Sequence, residues 1–145
     1  MKLEKWAIGI AATVAAVSLF AVFPLPSWWF EINRFRVMDA QAGQPIIVDY
    51  DRTIWRNFEG QWRVEVWRDQ RANWVSHCVA NGGPQEYRTD TVLPDPVTMD
   101  WLAYTEPRCF NLPQGTYKVS VQITVNPGGF WSRTVQAVSP PLVIR

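Results

Sequence analysis

The only histidine of the chain, His77, directly precedes one of its two cysteines, Cys78. A cysteine activated by a neighbouring imidazole would suit nucleophilic catalysis. The surrounding residues 73–80, NWVSHCVA, have the pattern of a β-strand, in which adjacent side chains point to opposite faces. The pair therefore cannot act as nucleophile and base, and we expect His77 to be a surface residue.

Asp49 and Asp51 are the second candidate for chemistry, because they share the polar face of an alternating run. Such a pair could act as acid and base or hold calcium, but calcium loops have a higher density of oxygen ligands. One histidine and two cysteines are too few for a zinc site of the usual spacing. The sequence also lacks a phosphate-binding loop and a nucleophile elbow. We predict no enzymatic activity, no cofactor and no metal site.

Length and charge limit the other classes of function. The 145 residues allow one domain of ordinary size and a short appendage. The formal net charge is +1, and acidic and basic residues alternate without a long block of one sign. Nucleic-acid binding needs a basic face, so we expect no nucleic-acid partner.

The N-terminal segment 1–30 differs from the rest, since no charged residue occurs from Trp6 to Phe30. As a helix, residues 6–23 would span about 27 Å, close to the hydrocarbon thickness of a bilayer. Trp6 at one end and Trp28, Trp29 and Phe30 at the other fit the aromatic belts of a membrane interface. We predict one transmembrane helix within 1–30, a lipid-bound signal anchor, followed by an extracytoplasmic domain, 31–145.

A cleaved signal peptide is the alternative. Ala16 and Ser18 have the spacing that signal peptidase recognises, but they lie inside the apolar run, which favours an uncleaved anchor. The flanking charges are nearly balanced, and the short N-terminal tail favours a cytoplasmic N-terminus. This predicts a single-pass protein of the bacterial inner membrane with its C-terminal domain in the periplasm.

The cysteines are consistent with export. Cys78 and Cys109 both belong to the domain 31–145, and a cysteine pair in a small exported domain usually forms a disulfide. In a reducing cytoplasm they would be inert thiols. We predict the disulfide, which would close a loop of about 30 residues and stabilise the domain by roughly 3 kcal/mol.

After residue 30 the sequence shows no helical periodicity. It consists of short runs in which apolar and polar residues alternate, separated by Pro, Gly, Asn and Asp. The clearest is 117–125, in which five apolar residues alternate with four polar ones. Seven further runs have the same character: 35–40, 46–54, 61–69, 73–80, 87–92, 98–104 and 130–138. The chain closes with a short terminal run, PPLVI. Seven or eight strands in about 110 residues predict an all-β antiparallel sandwich.

Leu112, Gly115 and Tyr117, in the stretch LPQGTY, match the tyrosine-corner pattern at the start of the penultimate strand of Greek-key sandwiches. Residues 33–145 therefore resemble immunoglobulin-like and fibronectin type III-like domains. The resemblance implies a buried ring whose hydroxyl hydrogen-bonds to nearby backbone. It departs from immunoglobulin domains at Val119, where those domains have a cysteine, so a Cys78–Cys109 bridge would be peripheral.

The nine tryptophans carry most of the remaining information. Register predicts that Trp62, Trp101 and Trp131 belong to the core. Exposed aromatic residues beside arginine are typical of recognition surfaces. We therefore predict a candidate contact patch that comprises Trp55, Phe58, Trp67 and Arg68. Alternatively, Trp55 and Phe58 fold back and cap the open end of the sandwich.

These features favour a non-catalytic, membrane-anchored binding or scaffolding protein of a bacterial or phage-encoded envelope system, with a protein partner. The surplus of tryptophan leaves a module that binds carbohydrate, such as a cell-wall glycan, as an alternative. A structural subunit of a virion or secretion assembly and a hydrolase accessory domain also remain open.

Overall fold

A computed structural model describes residues 8–15, 17–18, 28–126 and 132–145. The last two ranges form an antiparallel all-β structure of two sheets, which confirms the predicted sandwich-like architecture. Its elements are strands β1 (Phe30–Val37), β2 (Ile47–Ile54), β3 (Phe58–Gln70), β4 (Asn73–Tyr87) and β5 (Val97–Thr98), helix α1 (Met99–Leu102), a 3-10 turn (Pro107–Cys109), and strands β6 (Gly115–Asn126), β7 (Arg133–Val138) and β8 (Leu142–Ile144).

The smaller sheet has the order β1-β2-β5, and the larger has the order β4-β3-β6-β7. Strand β8 pairs with the first residues of β6, whereas β7 pairs with its later residues. The two long strands β3 and β6 thus form the centre of the larger sheet, and β4 is an edge strand. Residues of β2 and of β4 line the site described below.

Hydrophobic alternation places the core between the sheets. All five apolar residues of the run 117–125 are buried, as are Trp62, Val64 and Val66 of β3. Ile46, Val48 and Tyr50 supply the facing side chains at the smaller sheet. Each of these groups follows the period of two that a half-buried strand requires.

Strand β4 is longer than the sequence predicts. The predicted run ends at residue 80, but β4 continues through residues 81–84 to Tyr87. The register shifts between the pairs Gly60–Gln85 and Trp62–Gly82, so the strand accommodates Pro84 in an irregular stretch. Because β4 is an edge strand, a missing backbone donor there costs little.

The segment 98–104 was predicted to be a strand, and this prediction is wrong. Its centre is helix α1, whose Met99 and Leu102 side chains are buried. Residues three positions apart lie on the same face of a helix, so Met99 and Leu102 are buried together, whereas a strand would bury alternate residues. Trp101 consequently is 41% exposed and is not a core residue. Residues 87–92 likewise form no strand beyond Tyr87.

Most of the predicted membrane anchor lies outside the described residues, including Trp6 and all of 19–27. Residues 8–15 and 17–18 are helical. Within the described part of the chain, no helix has the length and apolarity needed to cross a bilayer. Trp131, predicted to be a core residue, also lies outside the described residues.

Candidate functional site

A pocket of about 220 Å³ opens between the two sheets, beside the edge strand β4. Its floor is aliphatic and comes from central strands and from α1, while its walls and mouth are largely aromatic. One arginine and one glutamine are the polar exceptions. The lining residues are Tyr50, Arg52, Trp62, Val64, Gln85, Tyr87, Trp101, Leu102, Tyr104, Val121 and Ile123.

Exposed rings form the mouth of the pocket. Tyr104 is 62% exposed, and its ring lies 5.4 Å from the ring of Trp62, centroid to centroid. Tyr104 lies in the loop that follows α1. The adjacent residue, Thr105, fixes this loop to β4, because its hydroxyl donates a 3.0 Å hydrogen bond to the Asn81 carbonyl. Trp101, on α1, is the second exposed ring. The mouth therefore consists of aromatic side chains held on ordered elements.

Tyr87 forms the inner wall, together with Tyr50. The ring of Tyr87 is stacked on Phe58 at 4.8 Å, with an interplanar angle of 6°. Burial raises the pKa of Tyr87 to about 12, and the hydrogen bond from the Gln85 side chain offsets this only in part. Burial also raises the pKa of Tyr50, against the opposing effect of Arg52. Both phenols are therefore neutral at physiological pH and can donate hydrogen bonds.

Arg52 is the only charged residue of the lining. Its guanidinium carbon lies 5.5 Å from the centroid of Tyr87 and 5.9 Å from that of Tyr50. The Nε atom is buried, and no acceptor among the described residues hydrogen-bonds to it. The cation is thus held by aromatic faces, which attract it, and not by a carboxylate.

The four residues of the predicted contact patch do not form one surface. Phe58 is only 5% exposed and belongs to the core, because its ring stacks on Tyr87. Its placement at the surface was wrong. Trp67 lies nine residues further along β3, which corresponds to about 30 Å of strand. Trp55 is 58% exposed but follows the end of β2, and its amide donates to the Trp29 carbonyl at 2.9 Å.

Trp67 and Arg68 lie at the far end of β3, opposite Lys118 and Tyr117 of β6. The Arg68 guanidinium donates to the Gln114 carbonyl at 2.9 Å and packs on the Tyr117 ring, so it serves the adjacent loop. Lys118 stacks over Trp74, with its Nζ atom 4.3 Å from the ring centroid. The structure therefore places Trp67 near Trp74 and Lys118, apart from Trp55.

Phe30 was predicted to lie at a membrane interface, and the structure corrects this. It is the first residue of β1, is fully buried, and contacts Phe58 and Tyr87 edge-on at 5.9 and 6.0 Å. The folded domain thus begins before residue 31. Trp29 also packs against the core and is covered by the Arg56 guanidinium at 5.5 Å, whereas Trp28 is 43% exposed.

The predicted disulfide is confirmed: Cys78 of β4 is bonded to Cys109 of the 3-10 turn, with Cα atoms 5.6 Å apart. The Tyr117 side chain is buried, and its hydroxyl donates a 2.8 Å hydrogen bond to the Pro113 carbonyl. A Cβ atom at Gly115 would lie 3.3 Å from the Tyr117 ring and 3.1 Å from Arg68. Glycine at this position permits the close approach, and Leu112 is buried beside it.

The residues first considered for catalysis are engaged elsewhere. Asp49 accepts from Arg34 at 2.7 Å, and Asp51 accepts from the Asn33 amide at 3.1 Å. His77 is half-buried, with its ring 5.7 Å from that of Tyr117. Burial lowers the pKa of His77, and the positive charges of nearby arginines add to this effect. No group of three metal-ligating side chains occurs in the ranges that the structure describes.

Sequence reasoning missed most of the pocket. Arg52 looked like one of several charges on a strand, and Tyr104 like the end of another strand. Register singled out two of the lining residues, Trp62 and Trp101, but predicted both to be core residues. The pocket depends on contacts between distant parts of the chain, such as that of Trp62 with Tyr104.

Comparison with known proteins gave no match to a family model, to a curated protein or to a solved structure.

Proposed function

We propose that this protein is a non-catalytic, membrane-anchored binding module whose ligand site is the pocket between the two sheets. The observation that carries this proposal is the combination of exposed rings at the mouth with buried aromatic walls. Binding sites are commonly concave, largely apolar and equipped with a few polar groups. The lining has this composition, with Arg52 and Gln85 as the polar groups.

The anchoring part of the proposal rests on the uncharged stretch 6–30. The helical residues Ile8, Ile10 and Val14 are each at least 60% exposed, as side chains that contact lipid would be. Trp55 and Arg56 lie beside Trp29, close to the point at which the anchor joins β1. Exposed Trp and a nearby arginine suit the headgroup region of a bilayer, so we assign Trp55 to the membrane-proximal end of the domain.

The proposed location is the inner membrane, with the sandwich domain in the periplasm. The Cys78–Cys109 disulfide supports this placement, because such bonds persist in oxidising compartments. We therefore propose that the protein belongs to an envelope system encoded by a bacterium or a phage. At this location the anchor holds the pocket close to the membrane surface.

We further propose that the domain is immunoglobulin-like or fibronectin type III-like and that Tyr117 is its tyrosine corner. The hydrogen bond from the Tyr117 hydroxyl to the backbone four residues upstream supports this assignment. The buried Leu112 and the close approach at Gly115 fit the same pattern. In that architecture, binding surfaces occur at the ends and exposed edges of the sheets.

A protein partner is the leading candidate, since aromatic and arginine side chains dominate the energetics of protein interfaces. Carbohydrate is the second candidate. Planar rings such as those of Trp62, Trp101 and Tyr104 can stack on the faces of sugars. The pocket volume of about 220 Å³ has room for a sugar ring. A cell-wall glycan would be within reach of a periplasmic domain.

The test is photo-crosslinking in cells of the native host. A photoreactive phenylalanine derivative replaces Tyr104 at the mouth of the pocket. Val138, which is 51% exposed on β7, is the matched control position. A discrete protein adduct from position 104 alone supports a protein-binding module. Adducts that carry glycan favour the second candidate, and equal adducts from both positions, or none from either, would refute the pocket as the binding site.

A further inference from the structure

We propose that the pocket binds a carboxylate carried on a single six-membered ring, with the guanidinium of Arg52 as the partner of the carboxylate. This inference rests on the proposed function, since it takes the pocket to be the ligand site. It adds the chemical class of the ligand and the residue that recognises its charge.

The unpaired Nε atom of Arg52 is the first argument. Arg52 is half-buried, and its buried Nε atom has no acceptor within the described ranges. A buried donor without a partner lowers the stability of a folded protein, because it has lost its hydrogen bonds to water. A ligand that accepts from this atom would remove that penalty. The rings of Tyr50 and Tyr87 hold the guanidinium in place before any ligand arrives.

The absence of acidic residues from the lining is the second argument. None of the eleven residues around the pocket is Asp or Glu. Asp51 is adjacent to Arg52 in the chain, but its carboxylate accepts from Asn33. The phenols of Tyr50 and Tyr87 remain protonated, since burial raises the pKa of each. The pocket therefore has a positive charge without a compensating negative one.

The planar guanidinium is well suited to pair with a carboxylate. Two neighbouring N–H groups of arginine match the two oxygens of a carboxylate, and such bidentate pairs are stronger than hydrogen bonds between neutral groups. The Gln85 amide and the phenol of Tyr87 lie in the same lining and can complete the hydrogen bonds of the oxygens. A carboxylate is thus better suited to this site than a neutral polar group.

The volume limits what carries the carboxylate. An engineered apolar cavity of about 150 Å³ accepts benzene. The pocket, at about 220 Å³, has room for one ring and a carboxyl group. The aromatic walls suit either an aryl ring or the face of a sugar ring, so the class includes aryl carboxylates and uronates.

A second cleft, of about 310 Å³, also borders Arg52, but it explains the unpaired Nε atom less well. It is lined by Asp51, Ile54, Thr89, Thr91, Val92 and Leu93. It contains a carboxylate of the protein itself and no aromatic residue. An anionic ligand there would meet Asp51, whereas an anionic ligand in the pocket between the sheets would meet no acidic side chain of the lining.

The test uses the full-length protein in detergent micelles and two matched pairs of probes. Benzoate is compared with benzamide, and glucuronate with glucose, because each pair differs mainly in the charged group. Dissociation constants come from titrations followed by NMR of the Arg52 Nε–H group and of the methyl groups of Val64, Val121 and Ile123. We expect benzoate or glucuronate to bind at least tenfold more tightly than its neutral counterpart and to shift the Arg52 signal.

The variant Arg52→Gln removes the charge, and we expect it to weaken carboxylate binding roughly 10- to 100-fold, the range for a charge-assisted hydrogen bond. Arg52→Lys keeps the charge without the planar fork, and an intermediate loss is expected. Arg34→Gln is the control, because Arg34 lies outside the pocket and pairs with Asp49. It should leave all affinities unchanged. The comparison of charged and neutral probes on the unmodified protein does not depend on how the variants fold.

The outcomes separate this inference from the proposed function. A preference for benzoate would identify an aryl ligand, and a preference for glucuronate would identify a sugar acid. Equal binding of benzoate and benzamide, with no effect of Arg52→Gln, would overturn the carboxylate inference and leave the pocket as a binding site. Binding of no probe would also overturn it, and the crosslinking result from position 104 would then decide the proposed function independently.

Discussion

The indole of Trp62 lies directly against the backbone of Gly82, its partner on the neighbouring strand, and occupies the space that a Cβ atom would need. This contact sets the position of one wall of the pocket. It also explains why glycine occurs within β4, where it otherwise weakens a strand. A Cβ atom at the next residue, Gly83, would have no neighbouring atom within 4 Å.

We therefore expect Gly82→Ala to displace the Trp62 indole, because the added methyl group would overlap the ring. The free energy of unfolding should fall by about 1 to 3 kcal/mol, the usual effect of overpacking. Urea denaturation followed by circular dichroism measures this.

Gly83→Ala is the matched control and should change stability little. Binding of the ring probes should weaken in Gly82→Ala alone. Equal effects of the two substitutions would contradict the contact between Trp62 and Gly82.

Alkaline pH should destabilise the protein through Tyr87. Burial raises its pKa to about 12 in the folded state, above the value of about 10 in the unfolded chain. The neutral form is favoured in the folded state, so the full stabilisation is present below pH 10 and is lost as the pH rises towards 12. The loss should be about 2 to 3 kcal/mol from this group, and Tyr50 should add to it in the same direction.

Unfolding free energies measured from pH 8 to 12 test this prediction. Tyr87→Phe removes the titrating group and should flatten the profile relative to that of the unmodified protein. An alkaline loss of the same size in Tyr87→Phe would exclude Tyr87 as its source.

Removal of the disulfide should lower stability substantially. Cys78 and Cys109 are 31 residues apart, and closing a loop of that length is worth about 3 to 4 kcal/mol in the chain-entropy model. The double variant Cys78→Ala/Cys109→Ala should show this loss in chemical denaturation. Reductant should produce a comparable decrease in the unmodified protein and none in the double variant, and a smaller effect than 1 kcal/mol would rule out this role.

Tyr117→Phe should cost about 1 kcal/mol, the net value of one hydrogen bond, because only the bond to the Pro113 carbonyl is lost. Tyr117→Leu should cost more, since it also removes the buried ring that Arg68 covers. Thermal unfolding of the two variants provides the comparison. A neutral Tyr117→Phe substitution would show that the hydroxyl does not stabilise this corner.

The sequence by itself determined the class of fold. Alternation in 117–125 requires a strand with one buried face, whatever its neighbours are, and the structure has β6 there. The pairing of Cys78 with Cys109 followed from their number, because two cysteines offer only one intramolecular disulfide. These properties are local or combinatorial, so no knowledge of the packing was needed.

A segment whose apolar residues fit two different structures could not be assigned from its own pattern. The apolar residues of 98–104 fit an alternating strand, yet Met99 and Leu102 are buried together on one helical turn. Phe30 adjoins an apolar, aromatic run and looks like part of it, but it packs on Phe58 and Tyr87. In both cases, the partner that buries the side chain lies far away in the sequence.

Only the tertiary structure decided the candidate site. Arg52, Trp62, Tyr87 and Tyr104 are spread over about fifty residues and three strands, and each has an ordinary local context. Their proximity results from strand order and from the loop that Thr105 fixes to β4. The chemistry of a pocket depends on which side chains face one another across the sheets, and local periodicity specifies the face of a residue but not its opposite neighbour.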